Sequence, residues 1–329
     1  MRRQASERRV GLGRRSVAGL ILVVGVALAL LAGPPARGGV PAGASYLGSK
    51  LCVACHQATH PQAVAGWATS AHAHTLWPLE ESDESQKVVA DFAKSPFPKE
   101  QAAYVVGAGN RYQAFLDKDL KVLPGEWAAK SKSWRPREAV DARQDCLGCH
   151  TTGYDPAAAH WVELDVACEM CHGPGSVHAG SADKKGTIVM VQSLDPAHQA
   201  MVCGQCHSQG RSKDSKYPFP VGFRPGDDLD QFFTYTEEIP RGAMNSQYNE
   251  LRFGGGKHLA SGTVCTTCHD PHGSGLPSQL RAPVNQLCQK CHTKLTGPQH
   301  SKEALTAVTC AVCHMPGGKH TFVPPKGLP

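Results

Sequence analysis

All 14 cysteines of this 329-residue chain fall in one five-residue pattern, C-x-x-C-H, which occurs seven times. The sites are Cys52/Cys55/His56, Cys146/Cys149/His150, Cys168/Cys171/His172, Cys203/Cys206/His207, Cys265/Cys268/His269, Cys288/Cys291/His292 and Cys310/Cys313/His314. No thiol is left for a disulfide or for nucleophilic catalysis. Residues i, i+3 and i+4 share one face of a helical turn, so each pattern presents two thiols side by side with an imidazole just behind them. A zinc site would pair C-x-x-C with a second pair at a set distance. Here every pair has its own adjacent histidine, which is the pattern of covalent c-type haem attachment. Seven covalently attached haem c groups are predicted, with the cysteines as anchors and His56, His150, His172, His207, His269, His292 and His314 as proximal iron ligands.

The histidine count sets the coordination. Of 17 histidines, ten lie outside the motifs: His60, His72, His74, His160, His178, His198, His258, His272, His300 and His320. Every iron can therefore take a second imidazole, with three histidines to spare. Methionine is the other common axial ligand, but Met170 sits inside an attachment loop and Met315 abuts His314. Bis-histidine ligation is favoured, which implies low potentials. An iron with two protein ligands passes electrons but does not bind substrate. No C-x-x-C-K variant marks a lysine-ligated catalytic haem, so an electron carrier is favoured over an enzyme.

Charge and hydropathy speak to location. The 34 basic and 28 acidic residues include seven arginines and one glutamate within residues 1–44, leaving 27 of each sign beyond them. Haem propionates would then make the holoprotein acidic, by about one charge per oxidised haem. Nothing suggests nucleic-acid binding. An arginine-rich start followed by 16 apolar or glycine residues, Val17 to Ala32, reads as a signal peptide over residues 1–44. The alternative is an uncleaved N-terminal anchor, which would bring membrane association. Either way an exported protein is expected, periplasmic or extracellular.

Between the motifs the chain reads as short helices and irregular loops wrapped around haems. A short helix carrying Trp67, His72 and His74 is expected before Pro78, and another over Gln86 to Ala93. Ala103–Val106, Arg111–Leu116 and Lys121–Leu123 read as a small β-hairpin unit near 103–123, with Trp127 and Trp134 packed beside it. Gly107 and Gly109 mark a turn, and Phe253–Lys257 is flexible chain before His258. First-cysteine spacings of 94, 22, 35, 62, 23 and 22 residues bring motifs two and three together in sequence, and likewise five, six and seven.

Several runs carry a resemblance: YLGSKLCVACH with WATSAHAHT, then CLGCHTTGY, CEMCHGPGSVH and CGQCHSQG. Together they are similar to exported multihaem cytochromes of the cytochrome c-554 family. KHLASGTVCTTCHDPHGS, LCQKCH and CAVCHMP with KHTF resemble doubled C-x-x-C-H cytochrome modules. The resemblance implies a multihaem cytochrome c fold, with a tetrahaem region over residues 45–225 and a trihaem region over 226–329. It further implies distal-ligand roles for His72, His178, His258, His272 and His320, and His198 and His300 complete a set of seven. His60, His74 and His160 are the spares.

The expected function is multi-electron transfer in an exported respiratory chain, between a quinol-linked donor and a periplasmic or extracellular acceptor protein. Two alternatives stand beside it. One is a reductase or oxidase acting on nitrite, hydroxylamine or a sulfur compound at a five-coordinate haem. The other is a subunit of a conducting filament or outer-surface conduit.

Overall fold

Thirty-four glycines and 24 prolines punctuate the chain, and its regular elements are correspondingly short. In the computed structural model, residues 39–82, 88–239, 245–254, 256–296 and 300–322 are described. The expected signal segment lies almost wholly outside the described residues. Residues 37–329 form one compact unit. Helix α1, Ser49–Thr59, has 11 residues, and α2, Pro61–Ala68, has eight. Among the described residues no helix is long and apolar enough to cross a membrane.

The hairpin unit expected near 103–123 is one part of a larger element. Five antiparallel strands run in the order β1 Leu76–Pro78, β2 Tyr104–Val106, β3 Tyr112–Leu116, β4 Val122–Ala128 and β5 Ser133–Arg135. Trp127 and Trp134 face each other across β4 and β5 as members of the sheet. The outer strands escape notice in the sequence because β1 and β5 have three residues each, while Pro124 and Gly125 disguise β4. The register shifts between Ala114 and Leu116, opposite that Pro-Gly step, where an irregular ladder tolerates a missing donor. Gly125 is required for packing: a Cβ there would come within 2.6 Å of Pro96.

Alternation along the strands gives the sheet two apolar faces. Trp77, Val105 and Phe115 share one cross-strand row and are buried with Phe97 and Leu123. Phe92 meets Phe115 at 4.9 Å and Phe97 meets Trp134 at 5.3 Å, both edge to face. On the other face Leu76, Leu116 and Val122 pack against Ala142, Cys146 and Leu147. The second attachment motif is therefore seated on the sheet.

Two expected helices take other forms. The segment after α2 is a 3-10 turn, His72–His74, leading straight into β1. Of the stretch from Gln86 to Ala93, residues 86 and 87 lie outside the described residues, and the remainder holds only the start of a 3-10 turn, Phe92–Lys94. The aromatic-rich chain between motifs four and five builds a second core of Ala200, Met201, Phe223, Leu229, Phe233 and Tyr248. It is tied by a bidentate pair in which Arg252 donates to both oxygens of Asp230 at 2.7 Å.

Candidate haem centres

Each attachment motif closes one helical turn. The backbone N–H of His150, His207, His269 and His292 donates to the carbonyl of the first cysteine of its motif at 2.9 to 3.1 Å. Cys168–His172 and Cys310–His314 are five-residue helices, and Cys52 to His56 lies within α1. Some of the x positions are set by close packing. Gly148 lies flat against Phe219, where a Cβ would overlap the ring, and Gly204 lies against Tyr248.

Glu169, an x residue of the third motif, is 1% exposed and acts as a staple. It accepts from the backbone N–H of Leu47, Gly48 and Gly175 at 2.7 to 3.0 Å. Glu163 accepts from the Ser49 N–H at 3.0 Å and from its hydroxyl at 2.6 Å. These two carboxylates serve donors at the N-terminus of α1, which holds four unpaired N–H groups in any helix. The first motif is thereby fixed to the third.

The ring nitrogens are disposed for ligation. His150 Nδ1 donates to Thr75 O at 3.0 Å, His172 to Val189 O at 2.8 Å and His269 to Ser278 O at 2.8 Å. His207 Nδ1 pairs with Gln247 Oε1 at 3.3 Å, His178 Nδ1 with Thr187 Oγ1 at 3.0 Å, and His300 Nδ1 with Thr296 O at 2.7 Å. A hydrogen bond at Nδ1 fixes the tautomer and leaves Nε2 for a metal. Burial keeps the rings neutral, the ligating form. It lowers the pKa of His150, His172 and His207, and with His207 nearby it brings His72 to about 4.

Six motif histidines each face one histidine from elsewhere in the chain. The ring centres lie 6.1 Å apart for His56–His178, 6.2 Å for His172–His272 and 6.3 Å for His72–His207. They lie 6.1 Å apart for His269–His320, 6.0 Å for His258–His292 and 6.1 Å for His300–His314. Two imidazole nitrogens each about 2 Å from one metal, with ring centres about 1.1 Å further out, stand about 6 Å apart. The six spacings therefore fit one metal ion between each pair, and the cysteines beside them fit porphyrin attachment. A cleft lined by His292, His300 and Leu305 offers further apolar and imidazole surface between the sixth and seventh motifs.

The remaining histidines are arranged differently. His198, expected among the distal ligands, pairs its Nδ1 with Asp195 Oδ2 at 2.5 Å in the first turn of its helix, and no motif ring faces it among the described residues. His74 is buried with Nδ1 donating to Ser70 O. His60 lies behind His56, the two Nδ1 atoms 3.1 Å apart, and His160 bridges by its backbone to Asp155. Among the described residues His150 has no ring partner. Sequence reasoning missed the supporting groups, Glu163, Glu169 and Asp165. Asp165 accepts from the N–H groups of Thr75 and Leu76 at 2.5 and 2.7 Å and so fixes the strand whose Thr75 carbonyl holds His150.

The cysteines of different motifs also meet. Cys52 hydrogen-bonds Cys168, Cys203 hydrogen-bonds Cys265, Cys206 hydrogen-bonds Cys149, and Cys288 hydrogen-bonds Cys310. Cys171 lies beside Cys203 and Cys206, and Cys268 beside Cys291. Two of the expected anchors depart from this pattern. Cys55 is exposed on α1 and Cys313 is half-buried in its five-residue helix, and among the described residues neither meets a thiol of another motif. The physical reason is their place on the turn. In the first and seventh motifs the other cysteine, Cys52 or Cys310, takes the inward position against a neighbouring motif, which leaves Cys55 and Cys313 on the outer side.

Known proteins share these features. The family model for cytochrome c554 and c-prime matches residues 110–173, and that for the doubled CXXCH motif matches residues 257–297. The chain is 25% identical over 151 residues to the multiheme cytochrome MtrA of Shewanella baltica, covering 41% of this chain and 44% of that protein. It is 24% identical over 228 residues to cytochrome c-554 of Nitrosomonas europaea, covering 63% of this chain and 77% of that one. The chain thus spans less than half the length of the first relative. The fold is similar to the crystal structure of the outer cell wall cytochrome OcwA, with a TM-score of 0.67, 21% identity, and coverage of 84% of this chain and 79% of that one. Attachment motifs, short helices in irregular chain and both family matches agree: the chain is a multihaem c-type cytochrome resembling the cytochrome c-554 family, with a C-terminal part of doubled C-x-x-C-H type.

Proposed function

We propose that the chain binds seven haem c groups and transfers electrons among them, as an exported carrier between a quinol- or enzyme-linked donor and a periplasmic or extracellular acceptor protein. The observation that carries this reading is the set of six histidine pairs at 6.0 to 6.3 Å. The haems supply one-electron redox chemistry. The cysteines anchor them, the paired imidazoles close six irons to exogenous ligands, and the carbonyls behind Nδ1 hold each imidazole in its ligating orientation. His178 serves the first motif, His272 the third, His72 the fourth, His320 the fifth, His258 the sixth and His300 the seventh. The tetrahaem and trihaem regions meeting at 225 are joined by the pairing of His172 with His272. The apolar run within residues 1–44 directs export. Intact mass and ferric spectra of the purified holoprotein test this. Seven added haems with six low-spin bis-histidine centres are expected. Fewer than seven haems, or a majority of high-spin centres, would overturn the reading.

One observation favours a second reading for a single centre. His150 has no facing ring among the described residues, so the second haem has an open sixth position suited to a small nitrogen or sulfur compound. A high-spin ferric signal that shifts on adding nitrite or hydroxylamine supports this, and a wholly low-spin spectrum removes it.

A further inference from the structure

Sequence spacing pairs the second motif with the third, 22 residues on, but the cysteine contacts arrange the motifs otherwise. Cys149 of the second motif meets Cys206 of the fourth. The other cysteine of the fourth motif, Cys203, meets Cys265 of the fifth, and Cys171 of the third lies beside both. From the third the contacts run on to the first through Cys168 and Cys52, and from the fifth to the sixth and seventh through Cys268–Cys291 and Cys288–Cys310. The histidines follow the same order. His172 lies near His56, and His207 near both His269 and His320.

We infer that the fourth motif, Cys203/Cys206/His207 with His72, is the junction of a branched redox array. One arm runs through the third motif to the first, one through the fifth and sixth to the seventh, and the second motif with His150 is a side branch on the junction. This rests on the carrier reading above and deepens it. Exchange between neighbours is outer-sphere: no bond forms or breaks, the giving centre is oxidised by one electron and the receiving centre is reduced by one. His150, the motif histidine without a facing ring among the described residues, stands at the end of the side branch. A substrate bound there would be fed by either arm, always through the junction.

The test uses holoprotein carrying a photoreducing ruthenium label, with a sacrificial amine donor, at Ala58→Cys on the first-motif arm or at Glu303→Cys on the seventh-motif arm. Both positions are exposed. His72→Met raises the potential of the junction, because methionine–histidine ligation favours the reduced iron, and so traps the electron there. Reduction of the His150 centre, followed by its own spectrum, is expected to slow by at least about tenfold from both labels. His258→Met in the sixth motif slows it only from Glu303→Cys. Unchanged reduction from either label in His72→Met, at a junction shown by titration to have risen, overturns the inference. Locating the irons of the unmodified holoprotein by anomalous scattering is a second test that needs no variant. The iron nearest that bonded by His150 is expected to be the one bonded by His207, and any other nearest neighbour refutes the junction. Loss of the carrier reading appears separately, as a haem count below seven or missing bis-histidine spectra.

Discussion

Glu169→Ala should loosen the attachment of the first motif to the third far more than a typical substitution would. The carboxylate is 1% exposed and accepts three backbone N–H groups at 2.7 to 3.0 Å. Hydrogen bonds to a charged group contribute about 1.5–3 kcal/mol each, which gives about 5–9 kcal/mol gross for three. Desolvation of the carboxylate offsets several kcal/mol of that. Truncation also leaves the donors of Leu47, Gly48 and Gly175 without their acceptor, so a net loss of about 3–5 kcal/mol is expected. Glu169→Gln keeps one carbonyl oxygen but turns an amide N–H₂ toward a donor, and should lose about half as much. Guanidinium unfolding of the holoprotein measures the loss. The low-spin resonance of the His56–His178 centre should broaden in parallel, because Glu169 holds the start of α1. A loss under about 1 kcal/mol in Glu169→Ala would refute the staple.

The ring planes make a spectroscopic prediction. His56–His178, His172–His272 and His300–His314 are within 8° to 11° of parallel, whereas His72–His207 stand at 82°. Parallel imidazoles give ordinary rhombic low-spin resonances and perpendicular ones a strongly anisotropic signal, so one such signal should disappear in His72→Met. Gly66→Ala should disturb the third-motif centre from a distance, because a Cβ on Gly66 would overlap the backbone carbonyl of His272. The checks are a changed His172–His272 resonance and a loss of about 1–3 kcal/mol in denaturant unfolding. Asp230 is held below the usual carboxylate range, first by the hydrogen bond from Arg252. That contribution is present above about pH 4 and is lost as pH falls through the depressed value. Asp230→Asn should therefore be less stable than the parent near neutrality and show a flatter decline on acidification, followed by thermal unfolding between about pH 2 and pH 6.

The attachment motifs are legible in the sequence because covalent capture of a porphyrin needs two thiols and an imidazole on one turn, a local requirement written at fixed spacing. The candidate distal histidines are legible by number, but their pairing is not, because His72 meets His207 and His172 meets His272 only through the tertiary fold. His198 shows the limit of counting. It occupies a plausible place in the sequence, yet Asp195 three residues earlier captures its ring. The spacing likewise treats all motif thiols alike, and only the folded chain separates inward Cys52 and Cys310 from outward Cys55 and Cys313. The sheet is half visible: β2 and β3 alternate clearly, whereas β1 is too short to signal and β4 contains Pro124 and Gly125. Glu169 is the hardest to foresee. A glutamate inside a motif loop reads as solvated, and only the close approach of Leu47, Gly48 and Gly175 makes it a buried acceptor.

The long reach of the facing histidines bears on how such a chain is assembled. His56 waits for His178, His207 needs His72 from far upstream, and His269 has no facing ring until His320 has been delivered. A tie between His56 and His178 would close a loop of 122 residues, and one between His72 and His207 a loop of 135. By analogy with a disulfide, a cross-link spanning about 100 residues removes about 4–5 kcal/mol of unfolded-chain freedom. The emerging polypeptide would gain these ties one at a time and in an order dictated by translocation, so its early segments would remain loose until later ones arrive to clasp them.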